Sequence, residues 1–222
     1  MQTVCLKYRL YPNKAQVHSL ERTLNTCRYT YNWMLADREQ EYESRKHSLS
    51  CFEQQARLKI FRETWTDLQG VHSQVLQNVA VRVDLAFKAF FRRVKAGEKP
   101  GYPRFKGRDW YDSFTYPQSG FSVSETHVKL SKVGGIRVKL HRPLVGKIKT
   151  CTIRRQNNKW YVCFACEVEI RPLPATGKVI GIDVGLEKFA ALSDGTFIEN
   201  PRFFRKEEQA LAKAQRKLSK QA

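Results

Sequence analysis

Acidic residues are scarce in this chain: 21 Asp and Glu stand against 40 Lys and Arg in 222 residues, a formal charge of +19. A surface so one-sided excludes an ordinary cytosolic enzyme and points to a polyanionic partner. Long apolar runs are missing as well. None approaches the ~20 residues of a membrane-spanning helix, so no membrane partner is expected. The N-terminal MQTVCLKYRLYP has no apolar core segment, so no signal peptide is expected. The 6 cysteines are scattered, at Cys5, Cys27, Cys51, Cys151, Cys163 and Cys166. Cys163 and Cys166 form a CxxC, but inside an alternating run where they point to opposite faces. No second CxxC and no His pair completes a zinc site. The thiols read as reduced structural cysteines of a cytoplasmic protein. Aromatics are not lacking: at 12% they mark a folded protein rather than a basic tail. The length allows a sizeable core in one or two domains.

Of the segments 1–99, 100–171, 172–200 and 201–222, only 172–200, which contains the stretch KVIGIDVGLEKFAALSDGTFIEN (178–200), has more acids than bases. Its pattern predicts a strand (Val179, Ile180, Ile182), a turn, a second strand (Phe189–Leu192), a turn at Asp194-Gly195, and a third strand (Thr196–Ile198). Asp183 sits inside the first apolar strand, where a buried carboxylate is costly unless paired. A divalent metal, Mg²⁺ or Mn²⁺, is a natural partner for carboxylate oxygen. Three readings compete. Asp183 is a satisfied strand-end residue. Or Gly181–Gly185 is the first phosphate loop of actin-like ATPases, although Leu186 and Glu187 stand where phosphate-binding Thr or Ser is usual. Or this is the first catalytic strand of an RNase H-like (RuvC) nuclease.

The rest of the chain supplies the setting. Residues 3–11 alternate, with Val4, Leu6, Tyr8 and Leu10 on one face and Lys7, Arg9 and Tyr11 on the other, which predicts a half-buried strand with a basic outer face. Asn13 to Gln16 is a helix start. Val17, Leu20, Leu24, Cys27, Tyr31, Met34 and Leu35 follow at helical spacing to about Glu43, with Arg22, Arg28 and Arg38 on the opposite, solvated face. The absence of an early Gly turn weighs against a helix-turn-helix. Ser50 to Glu53 is a capping box for a helix to about Trp65, with apolar Ala56, Leu58, Phe61 and Trp65. Asp67–Gly70 reads as a turn. A third helix carries the stripe Val71, Val75, Val79, Val83, Phe87, Phe90 and Val94. Gln74, Gln77, Asn78 and Arg82 lie off that stripe, either merely solvated or able to read base edges. The loop 97–107, GEKPGYPRFKG, interleaves Tyr102 and Phe105 with Lys99, Arg104, Lys106 and Arg108, a mixture suited to single strands or to a plain connector.

From Trp110 to Ile170 short alternating runs predict strands at Ser113–Tyr116, Ser122–Ser124, His127–Leu130, Ile136–Lys139, Gly146–Arg154 and Trp160–Ile170, hence a small barrel or sandwich. Lys147, Lys149, Arg154 and Arg155 fall on its outside. Residues 171–177 read as a linker. Pro201 onward is a basic amphipathic helix bearing Arg205 and Lys206, with Phe203, Phe204, Leu211 and Leu218 as apolar points.

Taken together, KYRLYPNKAQ, CRYTYNWML, SQVLQNVAVRVDLAFKAFFRR, GYPRFKGR and IGIDVGLEKFAALSDG resemble the N-terminal part of the TnpB (OrfB) family, insertion-sequence proteins classed as transposases and related to type V CRISPR effectors. The resemblance implies an RNA-guided DNA endonuclease with guide RNA and double- and single-stranded DNA as partners, in a bacterial or archaeal cytoplasm at the nucleoid. It implies an α+β fold. Residues 1–12 and 100–175 would form a wedge-type β-barrel, and 13–99 a helical recognition lobe inserted in it. Residues 176–222 would hold the first, incomplete strands of a RuvC domain and a bridging basic helix. Asp183 would be the first catalytic metal ligand, for Mg²⁺ or Mn²⁺. Lys7, Arg9, Gln74, Gln77, Asn78, Arg82, Arg104, Lys106, Arg108, Arg154, Arg155, Arg205 and Lys206 would contact nucleic acid. The family's later catalytic acids and zinc ribbon are not in these residues, so this stretch is expected to be inactive as a nuclease alone. The alternatives are a non-catalytic DNA- or RNA-binding relative acting as repressor or scaffold, and a conventional strand-transfer transposase.

Overall fold

Ten residues at the start of the chain, Gln2–Tyr11, form strand β1, and the first structural unit is assembled around them. The computed structural model describes residues 1–169 and 176–220 and divides into two units, 1–170 and 171–222. Of the expected linker, 171–175 lies outside the described residues.

In the first unit β1 is followed by four helices: α1 (Lys14–Arg45), α2 (Cys51–Thr64), the single turn α3 (Thr66–Gln69) and α4 (Ser73–Lys95). Six strands then follow: β2 (Ser113–Tyr116), β3 (Phe121–Val123), β4 (His127–Leu130), β5 (Gly134–Lys139), β6 (Lys147–Gln156) and β7 (Lys159–Val168). The sheet order is β2-β6-β7-β1-β5-β4-β3, antiparallel throughout. β1 therefore lies in the middle, paired with β7 and β5. The sheet curls into a nearly closed barrel. From the edge strand β2, the Tyr116 hydroxyl donates to the Ser131 carbonyl (3.0 Å), and its ring lies 6.5 Å from Phe121 of the opposite edge, β3.

Period-two alternation decides what fills the barrel. Leu6, Tyr8 and Leu10 of β1 are buried, as are Phe114, Tyr116, Val128, Leu130, Ile136, Val138, Cys151, Ile153, Trp160, Val162, Phe164 and Cys166. Cys166 faces in while Cys163 is half-exposed outside, and all six thiols are free. Gly146 turns the chain into β6 at φ +75°, where an added Cβ would collide with the Glu167 carbonyl.

The helices cover the β2 side. α1 runs unbroken for 32 residues from a capping box at Asn13, so it contains no helix-turn-helix. Its stripe from Leu20 to Leu35 is buried, as are Val71, Val75, Val79, Val83 and Phe87, whereas Val94 is exposed because α4 outruns its partners. Three expectations fail here. Asp67 belongs to the one-turn helix α3 rather than to a plain turn. Ala56 and Trp65 lie outside the core; Gln54 and Leu68 are inside it. Arg38, expected on a solvated face, is only 8% exposed. It donates to Gln54 Oε1 (2.7 Å) and Asp84 Oδ1 (3.3 Å), and Gln54 donates in turn to the Met34 carbonyl (2.7 Å). This chain of bonds ties α1, α2 and α4, and it satisfies polar groups whose burial would otherwise be costly.

The second unit holds a three-stranded antiparallel sheet ordered β10-β9-β8, from β8 (Ile182–Asp183), β9 (Lys188–Leu192) and β10 (Phe197–Glu199), and the helix α5 (Phe203–Ser219). Asp194 Oδ1 accepts the Thr196 N–H (2.9 Å) in the expected turn. No helix among the described residues is long and apolar enough to cross a membrane.

Two outcomes test this account. Phe164→Ala, which empties the barrel centre, should lower unfolding free energy by about 3–5 kcal/mol in a denaturant titration. At the start of α2, hydrogen bonds from the Ser50 side chain and backbone, then from His47, hold the Glu53 carboxyl down at about 2 from an ordinary 4.5. A depressed carboxyl stabilises above its unfolded pKa, and that contribution disappears as pH falls from 4.5 through 2. Protection of the amides at the α2 N-terminus, taken relative to an unstructured peptide at the same pH, should fall over that window, and Glu53→Gln should abolish the dependence.

Candidate nucleic-acid interface

The same register that buries one face of β1 sets cations in line on the other. Arg154 of β6 pairs with Tyr161 of β7, Tyr161 with Arg9 of β1, and Arg9 with Lys139 of β5. Arg9 and Lys139 are thus direct cross-strand neighbours of like charge, an arrangement that costs stability by itself. The row is organised by its one aromatic. The Arg9 guanidinium lies 5.2 Å and the Lys7 ammonium 4.2 Å from the Tyr161 ring centroid, and Arg9 also lies 5.6 Å from Tyr11. Lys7 donates to Gln156 Oε1 (2.6 Å), and Arg154 pairs with Asp112 at 2.9 Å on an exposed surface. Such exposed contacts contribute little and are readily exchanged for a phosphate.

Other expected contact residues are engaged inside the molecule. Arg155 donates from Nη1 to both carboxylate oxygens of Glu21 (3.0 and 2.9 Å) and so ties β6 to α1. Arg82 donates to the Ser113 carbonyl (2.7 Å) and Thr115 Oγ1 (3.0 Å), and its guanidinium sits 5.6 Å from the Tyr111 ring, so it anchors α4 to β2. Gln74 accepts from the Ser119 N–H and hydroxyl (2.9 and 3.0 Å). Gln77 is exposed and Asn78 half-exposed on the same helix.

The loop after α4 is pinned rather than loose. Asn32 of α1 grips Lys106 from both sides, accepting its N–H (2.7 Å) and donating to its carbonyl (3.0 Å). Tyr102 packs edge-on against Phe87 and Phe90 (5.6 and 5.4 Å). Its burial, then the Glu39 carboxylate, raise the pKa of its phenol. Phe105, Arg104 and Arg108 stay exposed. Neither aromatic of the loop is buried: Tyr102, though it packs on two rings, is 45% exposed and Phe105 57%.

In the second unit Asp183 is exposed on β8, paired with Ala191. The expected buried carboxylate is not found. The apolar residues around it, Val179 (95%) and Leu186 (92%), are almost wholly in solvent. Mg²⁺ or Mn²⁺ in a nuclease calls for several oxygen ligands. Among the described residues no three His, Cys, Asp or Glu side chains come together to hold a metal ion. One carboxylate does not make a two-metal centre. Arg205 is exposed on α5; Lys206 belongs to the same helix, and its side chain lies outside the described residues.

Three signals were hidden from the sequence: Tyr161 as organiser of the cation row, Lys139 as its end, and Asn32 as the loop clamp. Tyr161 and Lys139 follow from the strand pattern once β1 is paired with both neighbours. Asn32 carries no periodic signal.

Comparison with known proteins agrees with this architecture. A family described as "Helix-turn-helix domain" (OrfB, IS605 type) matches residues 1–47, and one described as "Probable transposase" (OrfB, IS605 type) matches 162–222. Residues 1–47 here are a strand and a single helix. The chain is 30% identical over 219 residues to the "Putative RNA-guided DNA endonuclease InsQ" of Escherichia coli (strain K12), covering 96% of this chain and 53% of that protein. It is 32% identical over 223 residues to a "Putative RNA-guided DNA endonuclease" of Streptomyces pristinaespiralis, covering 97% and 54%. The chain thus spans about half the length of these curated relatives. Among solved structures, that of a Cas12f1–sgRNA–target DNA complex matches with a TM-score of 0.51 at 15% identity, over 99% of this chain and 63% of that one, a likeness of fold.

Asn32→Ala should release the loop 101–107. Arg104 and Lys106 should become cleavable by trypsin at low protease concentration, while the melting temperature of the first unit falls only slightly.

Proposed function

We propose that this chain, which resembles the N-terminal part of the TnpB (OrfB) family of transposases and RNA-guided DNA endonucleases, is a nucleic-acid-binding module that holds a guide RNA and its DNA target. The observation that carries this reading is the row Arg154–Tyr161–Arg9–Lys139 on the outside of the barrel. Like charges placed directly opposite one another lower stability unless a polyanion neutralises them. A phosphate backbone crossing these four strands meets a cation on three of them, with Tyr161 on the fourth as a surface for a sugar or base. In this reading the barrel, from 1–12 and 100–175, is the wedge-type domain, and 13–99 is the recognition lobe, where Gln77 and Asn78 offer amides to base edges. Residues 176–222 begin a RuvC-like domain, with Asp183 as its first metal ligand and α5, bearing Arg205 and Lys206, lying along the guide–target duplex. Mg²⁺ or Mn²⁺ would supply charge neutralisation at the scissile phosphate; further carboxylates are needed to hold it. The protein acts at the nucleoid, in the cytoplasm of a bacterial or archaeal cell.

A second reading, a non-catalytic repressor or scaffold, is favoured by the exposed position of Asp183 on a two-residue strand. Both readings need the barrel face; only the first needs Asp183 to bind metal.

Affinity for structured RNA should fall linearly with the logarithm of salt concentration, and Arg9→Ala should reduce that slope by about 1. Replacing Arg9 and Lys139 together by Glu should weaken binding at least tenfold, whereas Asp183→Asn should leave it unchanged. Binding insensitive to salt, or untouched by the double replacement, contradicts the proposal.

A further inference from the structure

We infer that the cleft between α1 and the segment joining α2 to α3 is a pocket for one unstacked nucleobase of a single-stranded segment. The inference rests on the nucleic-acid-binding reading above and adds a second, distinct site to it. The cleft has a volume of about 650 Å³ and is lined by Tyr29, Asn32, Trp33, Thr64, Trp65 and Asp67, among others, with Leu68 buried beside them. That volume suits a small ligand such as one nucleoside.

Its walls are aromatic and fixed. Trp33 is held edge-on by Phe61 (4.5 Å, 71°) and stands edge-on to Trp65 (6.3 Å, 67°), which in turn packs on Phe61 (5.5 Å). Trp65 nonetheless remains 45% exposed and Tyr29 63% exposed. Both rings are therefore within reach of a ligand that enters the cleft from solvent. Every base has a face that stacks on such rings and an edge that needs hydrogen-bonding partners. The lining supplies those partners in the Thr66 hydroxyl and the Asp67 carboxylate, whereas the Asn32 amide is already taken up by Lys106.

Charge at the rim separates a nucleotide from the other planar or sugar-like ligands that aromatic clefts accept. The Arg28 guanidinium lies 4.2 Å from the Tyr29 ring centroid and donates to the Lys106 carbonyl (3.4 Å). Asn32, one wall of the cleft, is the residue that grips Lys106. The backbone of the basic loop carrying Arg104 and Lys106 is thereby tied to one wall residue of the cleft. A neutral sugar has no use for these cations; the phosphates flanking an inserted base do.

The test uses the whole chain with ten-nucleotide RNA and DNA strands of one sequence and with the corresponding duplex. Affinity is measured by anisotropy over a salt series, and tryptophan emission is recorded in parallel. Wild type should show emission quenched by the single strands. Trp65→Ala and Tyr29→Ala should each weaken single-strand binding by about tenfold or more. The salt slope and duplex binding should stay unchanged, because stacking releases no counterions, and Trp65→Ala should lose the quench. Tighter binding of RNA than of DNA assigns the pocket to the guide; the reverse assigns it to a displaced DNA strand. Single-strand affinity unchanged in both variants, or an equal loss for strand and duplex, overturns the pocket while leaving the barrel face intact. Wild type that binds no nucleic acid in a salt-dependent way overturns both.

Discussion

The antiparallel ladder between β1 and β7 is the constraint on which the first unit depends. It joins Gln2–Leu10 to Trp160–Val168 across roughly the whole unit, with Leu6 opposite Phe164 and Arg9 opposite Tyr161. One register therefore fixes two things at once. It sends Leu6, Tyr8, Leu10, Val162 and Phe164 into the barrel, and it brings Arg9, Lys7 and Tyr161 together on the outside. A slip by one residue would exchange the two sets, burying arginine and exposing the aromatic core. The hydrophobic core thus enforces the charge pattern: the apolar face cannot be correct unless the basic face is also.

The helices lie in sequence between the two halves of that ladder. Their attachment to the barrel is polar as well as apolar. Arg82 reaches from α4 to β2, and Glu21 of α1 receives Arg155 of β6. These two arginines look from the sequence like further surface cations, yet they fasten the lobe to the barrel. The protein uses the same residue type for contact with a polyanion and for internal fastening, and the deciding difference is whether an acceptor stands within reach in the folded chain.

Much of this was legible beforehand, for a physical reason. β1 and the runs at Ser113–Tyr116 and His127–Leu130 alternate strictly because one face is core and the other solvent, and alternation is visible in one dimension. The caps at Asn13 and Ser50 were visible because capping is local. What stayed hidden depends on distant partners. Arg38 sits at a position that helical spacing assigns to solvent, and only Gln54 and Asp84 draw it inside. Trp65 looks like core by type but remains at a cleft mouth. Asp183 was expected to be buried because its neighbours are apolar, and in this unit those neighbours are themselves exposed.

The most direct measurement is a lysine-acetylation footprint read by mass spectrometry, with and without a structured RNA. The account predicts that RNA shields Lys7 and Lys139 on the barrel face, while Lys88, which pairs with Asp84 on α4 at 2.8 Å, reacts equally in both states. If Lys7 and Lys139 react as readily in the complex as in the free protein, the barrel face is not the binding surface and the account fails.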